Sequence, residues 1–544
     1  MTFSDIILSA CLSASFLLAG RGLIHYFQLE SYQFPGYFRS VRRNLLKSVT
    51  PGILMEIVWI GTIIASAWLI PPDHSSPAGA LAVGAVMMAA GWLISRFIRD
   101  HKAKKPLAFT ARIKRLYGIG WAALTLFIML LLRGAASAYH SGTDILSRIP
   151  MACVLILPVF LPLLIALAGL ISWPVEKGIS ECYFQDARRI LDRRDDLIRI
   201  GITGSWGKTS VKFILGTLLE EKYHTLITPA SYNTPMGVTK VIRGSLEPGH
   251  RVFVAEMGAR HVGDIKEMCR LVKPHMGILT SVGPQHLDTF KTLERVKKTK
   301  YELMDAVPEN GMCFFADDED ICRELYEGTR KPRMLAGTDA ARDDVWAEDI
   351  MTTTEGSCFN LCTREGKTPC ETTLLGELNI RNIVLCAAVC LHLGLTTEEI
   401  RRGIRKLKPV EHRLQLIPNP GGMTVIDDAF NSNIRGAEQA FRVLSTFNRG
   451  KRIVVTPGMV ELGQEEEAMN RRFGETMAGC CDAAILVGKK RSEAIRKGME
   501  NQGFDPGHIH VAASLDEATE MLKKLIVPGD IVLFENDLPD NYSE

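Results

Sequence analysis

Apolar residues are unevenly distributed along the chain. Before residue 175 they form long uninterrupted stretches at 6–26, 52–70, 78–95, 118–135 and 149–173. After residue 197 short β-branched runs alternate with amphipathic segments. The 149–173 stretch holds no charged residue, and a helix needs about 20 apolar residues to cross a bilayer. The 52–70 stretch carries Glu56 and the 118–135 stretch ends near Arg133, so these two are the weaker candidates. No basic segment precedes residue 6 and four more stretches follow, so the first reads as a span rather than a cleaved secretory leader. Five transmembrane helices are therefore expected within residues 1–175.

Charge in the connecting segments orients them. Arg39, Arg42, Arg43 and Lys47 lie in 27–51, and Arg96, Arg99, Lys102, Lys104, Lys105, Arg112, Lys114 and Arg115 lie in 96–117. The segments between them carry almost no Lys or Arg: none in 71–77, only Arg148 in 136–148. The positive-inside rule then places the amino terminus outside and everything after Trp173 in the cytoplasm of a multi-pass inner-membrane protein. Residues 176–196 space Ile179, Tyr183, Ile190 and Leu191 at helical intervals among arginines. That pattern reads as an interfacial helix, with a solvated linker helix as the alternative.

Beyond it, "LIRIGITG", "RVFVAEMG" and "MGILTSVG" read as buried parallel strands, each followed by a helix. Residues 311–375 look like a strand-rich subdomain, and helices begin near Asn379 and Thr396. A second strand series starts near 422 with "MTVIDDAF", "RIVVTPG", "AAILVG", "HIHVA" and "DIVLF". The fold class is α/β behind an α-helical membrane region. Its two α/β domains are 197–410, a P-loop central domain, and 411–544, a Rossmann-like carboxyl-terminal domain.

Composition adds little to this picture. A net charge of +3 gives no reason to expect a nucleic-acid partner. Thirteen cysteines without paired spacing fit a reducing compartment. "CFNLCTREGKTPC" has no CxxC pair, so Cys358, Cys362 and Cys370 read as core residues around a hairpin rather than zinc ligands. The adjacent Cys480 and Cys481 read as small core residues too. The oligomeric state stays open.

The candidate chemistry begins at "GITGSWGKTS", residues 201–210. A strand ending at Thr203 and a helix starting near Lys208 would aim the N–H groups from Gly204 to Thr209 at phosphate oxygens. Lys208 would neutralise terminal phosphate charge and the Thr209 hydroxyl would ligate magnesium. The usual P-loop has a glycine where Ile202 stands. Glu256 lies at the carboxyl end of the next strand and His286 just past the third, both on the edge where parallel α/β sheets bind ligands. Lys300 on the following helix reads, from its residue type alone, as a solvated charge.

These residues carry a resemblance. "GITGSWGKTS", "EMGARHVGDI", "GPQHLDTF" and "KYEL", then "GELNIRN", "EHRLQL", "DDAFNSN" and "PGMVELG", resemble in their order the Mur ligase superfamily, over about 197–535. They are most similar to the branch that adds D-alanyl-D-alanine to the muramyl tripeptide. The resemblance implies an ATP-dependent carboxylate–amine ligase working through an acyl phosphate on a cell-envelope precursor. It implies phosphate and nucleotide contacts at Gly204, Ser205, Gly207, Lys208, Thr209, Ser210, Asn379, Asn382, Arg413 and Asp428. Magnesium would be held by Thr209, Glu256 and His286, with Lys300 carbamylated as a further oxygen ligand. Asn233 would lie near the reacting carboxylate, and closure of the two domains would exclude water from the acyl phosphate.

The chain also departs from that branch. The branch begins with a soluble domain for the UDP-sugar, whereas here the apolar stretches stand in its place. Leu378 and Phe430 replace a family histidine and tyrosine. Glu535, Asp537 and Asp540 stand where cations would receive the dipeptide carboxylate, and acidic groups there would favour a cationic or carboxylate-lacking amine. The partners expected are thus a carboxylate-bearing envelope precursor, UDP- or lipid-linked, an amine or amino acid, and the lipid bilayer. Poly-γ-glutamate or folate-type glutamate ligation is the nearer alternative. An ATP-driven transporter or sensor is the one from another class, although no LSGGQ-like signature occurs.

Overall fold

A computed structural model describes residues 3–536 except 31, 70–76, 99–105, 141–152, 155, 231, 318–319, 419–421, 430–433, 461 and 463–464. Phe430, Asp537, Asp540 and most of the 71–77 and 136–148 segments therefore lie outside the described residues. The chain divides into two units, Met1–Glu181 and Cys182–Glu544.

The first unit is helical: α1 (Phe3–Ala19), α2 (Arg21–Leu29), α3 (Phe34–Arg43), α4 (Leu45–Leu69), α5 (Pro77–Phe97), α6 (Ala111–His140) and α7 (Leu161–Asp192). By length and composition four segments can cross a membrane: Leu45–Ala65, Pro77–Phe97, Ala111–Gly134 and Leu157–Asp192. The first apolar stretch is broken, with α1 and α2 meeting at 54°, and makes a fifth span only if the pair crosses together. The 27–51 segment is helical rather than a loop. Its arginines hide an amphipathic α3 whose Tyr37 and Val41 are buried, and α4 already begins at Leu45.

Small residues let helix backbones approach closely and pack by van der Waals contact. The α1–α5 contact is built this way: a Cβ added at Gly91 would come within 2.4 Å of the Ser15 carbonyl oxygen, and one at Gly84 within 2.6 Å of Cys11 Cβ. Large apolar side chains such as Leu81, Trp92, Leu130, Leu163 and Leu170 point outward instead.

The 176–196 segment is not a separate interfacial helix. It continues α7 past Pro174, and its last turns bury Phe184, Ala187 and Leu191 in the core of the second unit. The helical spacing was legible; which surface that face would cover was not.

The second unit holds two sheets. The first comprises β1 (Ile198–Thr203), β2 (Thr225–Ile227), β3 (Val252–Glu256), β4 (Met276–Leu279), β5 (Met312–Ala316), β6 (Arg333–Gly337), β7 (Val345–Thr352), β8 (Ser357–Thr363) and β9 (Gly366–Thr372). Their order is β2-β3-β1-β4-β5-β6-β7-β8-β9, parallel through β7 and antiparallel at β8 and β9. The strands of 311–375 thus extend the central sheet rather than forming a subdomain of their own. The second sheet comprises β10 (Gln415–Pro418), β11 (Thr424–Asp428), β12 (Arg452–Thr456), β13 (Ala483–Val487), β14 (Ile509–Ala512) and β15 (Ile531–Glu535), ordered β10-β11-β15-β12-β13-β14. Only β10 is antiparallel. It is a four-residue edge strand ending in proline, too short for alternation to reveal.

Gly91→Val should disrupt the α1–α5 contact and destabilise the first unit by about 1–3 kcal/mol, the usual cost of overpacking. Thermal unfolding of the detergent-solubilised chain measures this, and an unchanged midpoint would refute the packing account.

Candidate active site

The site starts where β1 ends. Gly207, at φ 81°, caps α8 (Lys208–Leu219) in a left-handed conformation that favours glycine. A Cβ at Gly204 would fall 2.0 Å from Thr280 Oγ1, so the loop can press against the β4 end only without a side chain there. That contact is stitched by hydrogen bonds. Ser205 N–H donates to the Ser281 carbonyl at 3.0 Å and Trp206 N–H to Ser281 Oγ at 2.8 Å. The Thr280 and Ser281 hydroxyls donate to the Trp206 carbonyl. Ser205 Oγ accepts from Gly283 N–H and donates to Gly283 O, both at 3.0 Å. Ser205 is buried, and its hydroxyl and N–H hold the loop in shape. In this structure it therefore acts as a scaffold of the loop. The same holds for Trp206 N–H. The donors that remain for an anion are those opening α8, where first-turn N–H groups have no intrahelical acceptor.

Lys208 Nζ donates to the carbonyls of Gly204 and Ser205 at 2.6 and 3.0 Å. Burial, with help from the Arg413 charge and against the pull of Glu256, lowers its ammonium to about 8. Ser210 follows in the first turn of α8 and is half-buried.

Glu256, the last residue of β3, is the hub. Its carboxylate accepts from Thr209 Oγ1 at 3.1 and 3.2 Å and from Asn233 Nδ2 at 3.0 Å. A buried ion pair joins it to Lys212 Nζ at 3.0 Å, with side chains 0% and 1% exposed. Burial alone would push this carboxyl up, but Lys212, Lys208 and the Asn233 hydrogen bond outweigh it and hold it below its ordinary value. Lys212 was not found by sequence reasoning. It lies one turn beyond Lys208 on α8, and only the β3 register shows that it points at a carboxylate rather than at solvent.

Lys300, on α9 (Leu293–Ala306), is 1% exposed rather than solvated. Burial, and then the nearby Lys208 charge, push its amine well below the ordinary lysine range. Among the described residues its Nζ has no hydrogen-bond or ion-pair partner. Lys300 is thus a buried amine without a counter-charge in contact, which releases its proton more readily than a solvated lysine. His286 caps the four-residue helix Leu287–Phe290 at φ 52° and is half-buried past the β4 end.

The carboxyl-terminal domain reaches the same place. Arg413 lies between His412 at φ 60° and Leu414 at φ 44°. Two consecutive-but-one left-handed residues, one of them a leucine, are strain of the kind that persists where geometry is imposed for a purpose. The Arg413 guanidinium feels both the Asp428 and Glu256 carboxylates, which oppose the lowering caused by its burial. Asp428 accepts from Leu414 N–H at 3.1 Å, and burial raises its carboxyl to about 6 despite Arg413. Asn382, on α10 (Glu377–His392), places its Oδ1 3.3 Å from where a Gly207 Cβ would sit, beside the loop. Asn379 directs its amide to the Leu375 carbonyl at 2.8 Å and so secures the start of α10.

Two further expectations change. Glu535 is not part of an acidic loop: it ends β15, fully buried, accepting from Thr456 Oγ1 at 3.0 Å. Cys358 is not a core residue: it is exposed, while Cys362 and Cys370 are buried. Among the described residues no three His, Cys, Asp or Glu side chains cluster as a metal site. That donor set suits magnesium, which is ordinarily held by one or two carboxylates together with substrate phosphates.

Two outcomes test this geometry. Lys212→Met strips Glu256 of its buried partner and should cost about 3–5 kcal/mol in denaturant unfolding, while Lys212→Met/Glu256→Gln recovers part of it. Equal losses in the single and double variants would contradict the pairing. Protonated Lys208 binds phosphate and neutral Lys208 does not, so affinity for an ATP analogue should fall as pH rises through about 8. By pH 9 the loss should be roughly tenfold, read by calorimetry, and a flat profile would contradict the role of Lys208.

Comparison with known proteins matches the geometry. Residues 202–390 match the Mur ligase middle domain and residues 412–535 the Mur ligase, glutamate ligase domain. The chain is 31% identical over 333 residues to the UDP-N-acetylmuramoyl-tripeptide–D-alanyl-D-alanine ligase of Escherichia coli, covering 59% of this chain and 73% of that one. MurF from Acinetobacter baumannii superposes with a TM-score of 0.61 at 25% identity, over 67% of this chain and 78% of that one. The MurF ligase of Thermotoga maritima, solved in complex with ADP, shares the fold with a TM-score of 0.59 at 24% identity, over 66% and 80% of the two chains. The chain belongs to the Mur ligase family, and it is an ATP-dependent ligase of that family's amide-bond-forming kind.

Proposed function

We propose that this chain joins a carboxylate of a peptidoglycan-type precursor to an amino acid or short peptide, through an acyl phosphate, while anchored in the membrane. The observation that carries the reading is the convergence of Lys208, Thr209, Asn233 and Glu256 on one sheet edge within matched ligase domains. Lys208 and the opening N–H groups of α8 bind the ATP phosphates. Thr209 and Glu256 are the residues that would hold magnesium, with His286 and a carbamylated Lys300 beside them. When bound, the ion neutralises charge on the transferred phosphoryl group.

The chain's own groups do the rest. Asn233, hydrogen-bonded to Glu256, orients the substrate carboxylate, whose oxygen attacks the γ-phosphorus as ADP leaves. Arg413 closes over the phosphates from the second domain and Asn382 faces the nucleotide from α10. The amine then attacks the acyl carbon, loses a proton, and phosphate departs. Lys212 keeps Glu256 ionised and aimed throughout.

The membrane part of the proposal rests on the apolar helices and on loop charge. Arg39, Arg42, Arg43, Arg112, Lys114 and Arg115 favour a cytoplasmic catalytic unit with the amino terminus outside. Helices stand ahead of the matched ligase domains, where the branch carries its UDP-sugar domain, and this supports a lipid-linked acceptor. The transporter alternative is set aside because ligase domains account for both α/β sheets.

An ADP-release assay on the detergent-purified chain tests this, with Lys208→Ala as the blank. ADP release should require both a muramyl-peptide carboxylate and an amine, and lipid-linked peptide should exceed its UDP-linked counterpart. Equal rates on UDP-muramyl tripeptide with D-alanyl-D-alanine would sink the lipid-linked reading. ATP turnover indifferent to every carboxylate and amine would sink the ligase assignment.

A further inference from the structure

Within the first unit, the end of α2, the starts of α3 and α6 and the middle of α7 enclose a pocket lined by Phe27, Tyr32, Phe34, Arg112, Trp173 and Glu176. Its polar centre is asymmetric. Glu176 receives a two-point ion pair from Arg115, Nε to Oε1 at 2.6 Å and Nη2 to Oε2 at 2.9 Å. Arg112 Nε stands farther off, 3.7 Å from Oε2. Two guanidinium groups face this one carboxylate, and Arg112 is the one that makes no hydrogen bond to it.

The Arg112 charge is held in place without a hydrogen bond. The Arg112 guanidinium lies over the Tyr32 ring, 3.8 Å from its centroid, which fixes its plane. Among the described residues none of its N–H groups makes a hydrogen bond. Five donors in a fixed fork match an oxyanion bearing several oxygens. The side chain is 37% exposed, so an anion can reach it from outside.

Around the guanidinium the walls are aromatic, and they sit at the end of the apolar part of α7. Trp173 closes the uncharged run, and the Lys177 ammonium lies 5.0 Å from its ring, an arrangement suited to a membrane–water boundary. A free anion would gain little from Phe27, Phe34 and Trp173. A molecule with a phosphate at one end and an apolar chain at the other would use every wall.

We propose that this pocket binds the phosphate headgroup of a membrane lipid, with Arg112 as its anion fork and the aromatic walls receiving the adjoining chain. The proposal rests on the membrane-spanning reading given under Proposed function, but not on the ligase reaction. In a ligase acting at the bilayer, such a site would hold a lipid phosphate on the side of the membrane where loop charge puts the catalytic unit.

Native mass spectrometry of the full chain in an uncharged detergent tests it with three probes: dioleoyl phosphatidic acid, dioleoylglycerol and inorganic phosphate. Phosphatidic acid should be retained, and Arg112→Gln should reduce its occupancy at least tenfold. Tyr32→Asn, which keeps a residue tolerant of the φ of 62° at that position, should do the same by removing the stacking platform. It serves as the test if Arg112→Gln fails to fold. Equal retention of dioleoylglycerol, displacement by inorganic phosphate at matching concentration, or unchanged binding in a folded variant would each overturn the proposal. ADP release on soluble substrates separates the two readings. An active ligase that retains no phosphatidic acid overturns the pocket alone, and lipid retention by a chain without ligase activity supports the pocket while overturning the ligase.

Discussion

The Glu256–Lys212 ion pair is the constraint around which the catalytic unit is arranged. A carboxylate 1% exposed at a strand end is tolerable only if opposite charge and hydrogen bonds replace its water. Lys212 supplies the charge, and Thr209 and Asn233 supply the bonds. The pairing fixes the register between α8 and β3, and thereby the distance from the phosphate loop to the carboxylate. It also explains a division of labour along α8. Lys208 on the first turn faces the loop and is available for phosphate, whereas Lys212 on the second is committed to Glu256.

A second consequence concerns the lysines. Lys208, Lys212 and Lys300 crowd one region, yet only Lys212 has a carboxylate in contact. Burial lowers all three: with help from Arg413 it brings Lys208 to about 8, and with the Lys208 charge it pushes Lys300 well below the lysine range. Lys208 stays largely charged at neutral pH, while the Lys300 amine gives up its proton far more readily than an ordinary lysine.

Much of this was legible in the sequence. The strand–loop–helix order around "GITGSWGKTS", the strand-end position of Glu256 and the two α/β domains follow from period and turn chemistry. Lys212, Ser205 and Glu535 were not legible, for a common reason. Whether a polar side chain is catalytic, scaffolding or solvated depends on the strand beside it, and that neighbour is distant in the chain: Ser205 meets Gly283, Glu535 meets Thr456, and Lys212 meets Glu256. In the first unit, hydropathy located the long helices but not the amphipathic α3 or the break between α1 and α2. A span-length window averages over both features. The aromatic pocket at Arg112 likewise assembles from four helices that no local pattern connects.

The central claim is that the α8 opening and Glu256 form one nucleotide–metal site. The most direct measurement is an experimental structure of the full chain with magnesium and a non-hydrolysable ATP analogue. The account predicts phosphate density against Lys208 and the first turn of α8, with an ion contacted by Thr209 and Glu256 while Lys212 keeps its hold on the carboxylate. Nucleotide bound elsewhere, or an ion that leaves Thr209 and Glu256 bonded only to each other, would contradict it.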